Sequence, residues 1–346
     1  MVVLGVADGP RPAAALVSAG RLVGLGVQPA VVGVPWEAID QALRVARLGP
    51  ADVESVQLAG RWTGVANRRG LSARVPAAFG WIAQTALRAT GLGVAEADRE
   101  ASRWEVALKG RGFRPHRVAL VDVHVALAEA AYRLQAHDAV SIAVWEPLGD
   151  GLCLSVWSAS AGQLTRVATQ GGLSSLHLFE ARLARRLQLA EPDPDQPAWA
   201  SLPQGGQVDA VIVHGVARAF SVDDGRFEGQ EAAWDALSAA PRELAASSAR
   251  EGMTLGLSRW LRAHVAPSRP LVLAGRGFAD VRLVDALSGQ GLGVSVVAGP
   301  AVTRWARAAG AALRAAGPPP VDVGARWVDI GGTANLANDG RPGALP

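Results

Sequence analysis

The chain has 346 residues, 49% hydrophobic and 19% charged, with a formal net charge of +3. At roughly 150 residues per domain, that length suggests two domains or lobes with ample core material. The basic charge is almost wholly arginine, Lys109 being the sole lysine, and no arginine-rich run suits a phosphate backbone, so a nucleic-acid partner is not expected.

Three short apolar runs open the chain, Val2–Val6, Ala13–Val17 and Leu22–Val27, separated by Gly/Pro turns and reading as strands. Ser18–Gly20 is the hairpin signal between the second and third. Ile39, Leu43 and Leu48 predict a helix over 36–48, and Val53–Ala59 reads as a strand. Helices are predicted over 76–92, with Pro76 at its start, and over 98–109. "ALVDVHVALAEAAYRL" (119–134) continues this order, with a strand ending at Val123 and a helix over 124–135. A second meander follows in Ala139–Trp145, Gly151–Ser158 and Gln163–Thr169, then a helix over 174–188 and a loop over 190–207. The last third reads as helix over about 230–265, strand 270–273, helix 279–287, strand 294–297 and helix 301–316.

Three strands then α/β, repeated once, is the pattern of a two-lobed actin-like ATPase fold, the duplicated ribonuclease H-like arrangement of mixed sheets flanked by helices. The predicted lobes are 1–135 and 136–316, with a tail at 317–346. Cys153 is the only cysteine, which excludes a disulfide within one chain and fits a reducing, cytoplasmic compartment. Residues 1–30 lack the form of a signal peptide. No charge-free apolar run reaches about 18 residues, so no membrane partner is expected.

"LGVADGPRPAAALVSAGRLVGLGVQ" resembles the opening of the O-carbamoyltransferases of nodulation-factor and antibiotic biosynthesis. "WEAIDQALRVARLGPADVESVQLAG", "VDVHVALAEAAY", "EPLGDGLCLSVW" and "LVLAGRGFADVRLVDALSGQGLGVSVVAGPAVTRWARAAGAAL" resemble later segments of that family in the same order. The likeness spans roughly 2–315 and is weak over 190–230. It implies the actin-like domain that moves a carbamoyl group from carbamoyl adenylate to a hydroxyl, using a metal and a bound nucleotide. The separate adenylate-forming domain of that family is not expected within residues 317–346, which are too few for a second catalytic domain.

The resemblance also implies a metal held by two histidines four apart on one helix and an aspartate from the second lobe. In register, Val123 and Leu127 stand at the histidine positions; shifted by one, His124 takes the first and Ala128 the second. Pro300 falls near the aspartate position. None of these replacements binds a metal, so no metal is expected.

Two turns keep polar character. "EPLGDG" carries Glu146 and Asp150 between Gly149 and Gly151, and "AGRGFAD" carries Gly275, Gly277 and Asp280, with Arg276 in a glycine position. One reading is residual nucleotide binding between the lobes, with Asp8 and Gly9 of the first turn. The preferred one is a hairpin turn and a strand-to-helix turn whose glycines serve the backbone. Arg276 would then fill the space of a phosphate. If catalysis persists, His124, Glu146 and Asp150 are the candidate catalytic residues, with ATP or another adenine nucleotide as the one cofactor to consider.

Other motifs carry less. "VDIGGT" (328–333) resembles the phosphate loop of sugar kinases, but few residues follow it. His116, His137, His177, His214 and His264 show no ligand spacing, and no G-x-S-x-G nucleophile elbow is present. The expected role is therefore a non-catalytic partner or regulatory subunit of an intact carbamoyltransferase-type paralogue, or of itself. The inactive actin-like paralogue of the tRNA threonylcarbamoyladenosine system is the related precedent. The alternatives are an active carbamoyltransferase subunit with a rearranged site, and an actin-like ATPase or sugar kinase of another branch.

Overall fold

The structure is a computed structural model. It describes residues 1–7, 12–29, 34–60, 93–135, 137–171, 183, 186–187, 206–218, 230–297 and 300–317. In chain order the elements are β1 (Val2–Ala7), β2 (Ala13–Ser18), β3 (Arg21–Val27), α1 (Trp36–Ala46), β4 (Ser55–Ala59), α2 (Gly93–Lys109), β5 (Arg117–Val121) and α3 (Val123–Arg133). There follow β6 (Ala139–Gly149), β7 (Leu152–Ser160), β8 (Gln163–Gly171), α4 (Ala210–Arg218), α5 (Gln230–Ala239) and α6 (Arg242–His264). The last are β9 (Leu271–Ala274), α7 (Val281–Gly289), β10 (Val294–Val297) and α8 (Pro300–Ala316). The predicted helices over 76–92 and 174–188, the loop over 190–207 and "VDIGGT" lie wholly or mostly outside the described residues.

Contacts divide the chain into two units, residues 1–136 with those from 301 onward, and residues 137–300. Each holds one five-stranded sheet, ordered β3-β2-β1-β4-β5 in the first and β8-β7-β6-β9-β10 in the second. In both, the meander strands pair antiparallel, the next strand pairs parallel with the first, and the last pairs parallel with that one. The same strand order, made twice, is the duplicated topology of the actin-like ATPase fold. The chain has that fold.

Turn chemistry sets the meanders. Ala19-Gly20, Asp150-Gly151 and Ala161-Gly162 each have positive φ at both residues, the backbone of a two-residue hairpin whose twist matches its strands. Apolar runs do the rest: β1, β2 and β4 are almost wholly buried, so their residues read as continuous hydrophobic stretches.

Helices lie very close on the first sheet. A Cβ built on Gly26 would sit 1.9 Å from the Ala38 carbonyl oxygen of α1, and one on Gly24 would sit 2.3 Å from that of Ala42. On the other face, a Cβ on Gly5 of β1 would lie 1.9 Å from the Ala308 carbonyl oxygen of α8. One on Gly310 would lie 1.7 Å from the Ala126 carbonyl oxygen of α3. At these places glycine has a packing cause.

The position of α8 corrects the predicted division. From sequence it belongs to the second lobe, yet Trp305, Ala308, Ala309 and Ala311 share a core with Ala7, Ala13, Ala15 and Ala126 of the first unit. The glycine contacts just described let its backbone approach that closely.

The second unit buries one continuous apolar cluster that includes Trp145, Trp260, Phe278, Leu154 and Met253. α4, which the sequence did not reveal, begins where the Asp209 carboxylate accepts the N–H groups of Val211 and Ile212, at 2.7 and 3.3 Å. Among the described residues, no helix is long and apolar enough to cross a membrane.

Candidate functional site

In sheets of this kind ligands sit outside the carboxyl ends of the parallel strands. In the second unit the parallel strands are β6, β9 and β10, and β6 and β9 pair with Val144 opposite Ala274. Trp145 and Glu146 follow on β6. Gly275 and a short 3₁₀ turn, Arg276–Phe278, follow β9.

This corner is filled by its own side chains. Gly275 has φ +95°, and a Cβ there would stand 2.5 Å from the Trp145 carbonyl oxygen. A Cβ on Gly277 would stand 2.2 Å from the Trp145 indole. Trp145 is fully buried and meets Phe278 edge to face, with ring centroids 5.4 Å apart. Gly277 thus leaves room for the tryptophan ring, whereas Gly275 is required by its positive φ and by the backbone of β6.

The carboxylates are engaged in the same manner. Glu146, 5% exposed, accepts a long hydrogen bond of 3.4 Å from the Arg276 backbone N–H. Asp280 caps α7, its Oδ1 accepting from the Arg282 N–H at 3.1 Å and facing Arg282 Nε at 3.4 Å. Its Oδ2 takes a 2.6 Å hydrogen bond from Arg250 Nη2, and both side chains of that pair are buried. Asp150 and Gly151 form the β6–β7 hairpin turn, with φ of 54° and 80°. Gly149 ends β6 opposite Leu152.

In the first unit Asp122 caps α3, accepting the N–H groups of His124 at 2.8 Å and Val125 at 3.2 Å. The helix therefore begins at Val123, one residue before the predicted start. His124, Val123, Leu127 and Ala128 are all buried. Val123, Leu127 and Ala128 carry no donor atom, so these three side chains cannot coordinate a metal. Among the described residues, no group of three or more His, Cys, Asp or Glu could hold a metal ion. Asp8 and Gly9 lie outside the described residues.

The structure thus joins Glu146 to the Gly275–Gly277 turn and ties Asp280 to the framework of α6 and α7. It puts Asp150 in a hairpin turn and His124 in the other unit. Two residues central to this corner were not anticipated, Trp145 and Arg250. The signal for Arg250 was present, as a lone arginine among small residues in "LAASSAREGM".

No family model matches the chain. No curated protein matches it either. Among solved structures it is similar to component A of the (R)-2-hydroxyglutaryl-CoA dehydratase of Acidaminococcus fermentans. The identity is 13% over 91% of this chain and 97% of that one, with a TM-score of 0.47. It is also similar to the activator of the 2-hydroxyisocaproyl-CoA dehydratase from Clostridium difficile, at 11% identity, 91% and 94% coverage and a TM-score of 0.42. A ROK hexokinase from Thermus thermophilus gives 17%, 90%, 98% and 0.38. The fold assignment itself rests on the strand order of the two sheets.

Proposed function

We propose that this chain is a non-catalytic relative of the carbamoyltransferases, acting as a binding or regulatory partner of an intact paralogue. One observation carries the reading: the polar groups at the strand ends of the second unit are spent on internal contacts. Glu146 faces the Arg276 N–H, Asp280 is held between Arg250 and α7, and Trp145 fills the space over Gly277. The buried apolar residues at the expected metal positions of α3 support it independently.

The test is calorimetric titration of the purified full chain with ATP and magnesium, with an ATPase assay and metal analysis alongside. No saturable binding, no hydrolysis and no stoichiometric metal are expected, and an actin-like protein should copurify from the native host. Stoichiometric iron or zinc together with carbamoylation of an acceptor by this chain alone overturns the proposal.

A second reading, an active subunit that receives carbamoyl adenylate from another protein, is favoured by the buried Glu146 carboxylate beside the glycine turn. It requires nucleotide-dependent thermal stabilisation that Glu146→Gln abolishes. Asp280→Ala is the wrong probe, because Asp280 holds α7 in place whether or not a ligand binds.

A further inference from the structure

We draw no further inference here: the strongest candidate, the exposed outer edge of strand β8 at the end of the second sheet, bulges at Val167 and nothing in the structure shows what covers it.

Discussion

Arg250 and Asp280, thirty residues apart in sequence, meet at 2.6 Å in the interior of the second unit. The pair joins the middle of α6 to the first turn of α7, directly after the glycine turn that follows β9. A buried charge whose partner is removed keeps its desolvation cost without compensation.

Asp280→Asn should therefore destabilise the chain by about 3–5 kcal/mol, while keeping a residue that caps α7 well. Asp280→Ala loses the cap too, and should cost about 1 kcal/mol more. Arg250→Met combined with Asp280→Asn should cost less than the sum of the single changes, because both report on one interaction. Urea denaturation followed by tryptophan fluorescence measures all of these. Full additivity would mean that the two residues act separately.

Gly277→Ala places a methyl group against the Trp145 indole. It should cost about 1–3 kcal/mol, the usual penalty of overpacking a filled core. Trp145→Leu vacates that space, so Gly277→Ala should be milder in the Trp145→Leu background. Thermal melts of the four proteins form the cycle, and an equal cost in both backgrounds would rule out the contact as the reason for the glycine.

Gly310→Ala drives a methyl group into the Ala126 carbonyl, which is backbone and cannot rotate away. The expected loss is at the upper end of about 1–3 kcal/mol or beyond. Gly289→Ala, at a helical position where a Cβ meets nothing, should instead be neutral or stabilising by up to about 1 kcal/mol. Chemical denaturation of the two variants compares them, and similar effects would count against the close packing of α8 on α3.

Two groups predict how stability follows pH. Burial pushes the His264 imidazole below its ordinary value, beside the Trp260 ring at 4.8 Å. The hydrogen bond from the Val2 N–H holds the Glu54 carboxyl below its usual range, aided by the N-terminal ammonium at 3.4 Å. In both cases the unfolded chain binds the proton first as pH falls, so stability drops with falling pH. The His264 contribution begins to fall near pH ~6.5 and that of Glu54 near pH ~4.3, their unfolded values. His264→Gln should flatten the upper part of a melting-temperature profile and leave the lower part. An unchanged profile would remove His264 from the account.

Much of this architecture was legible because strands and turns declare themselves locally. The apolar runs of β2, β6 and β7 are each followed by an X-Gly hairpin, and most of both meanders follows from that local signal. α4 was not legible, because "AVIVH" (Ala210–His214), rich in β-branched residues and followed by Gly215, suits a strand as well as a helix. The unit to which α8 belongs was hidden for a different reason. Only a long-range approach of one backbone to another distinguishes Gly5 and Gly310 from glycines in ordinary turns.

The candidate corner was half legible. Glycines and acids at 146–151 and 275–280 flagged two turns, and both turns are present. Their bonding was not, because it depends on Arg250 from α6 and on the Trp145 indole, and neither belongs to the motifs that drew attention.

The placement of α8 has a consequence for synthesis. A nascent chain reaches the end of α3 with every strand of the first sheet made, yet Ala7, Ala13 and Ala126 still lack the helix that completes their core. Residues 137–300 must leave the ribosome before that helix does. The unit begun first is therefore finished last, and its uncovered sheet face waits while the inserted unit gains its own core.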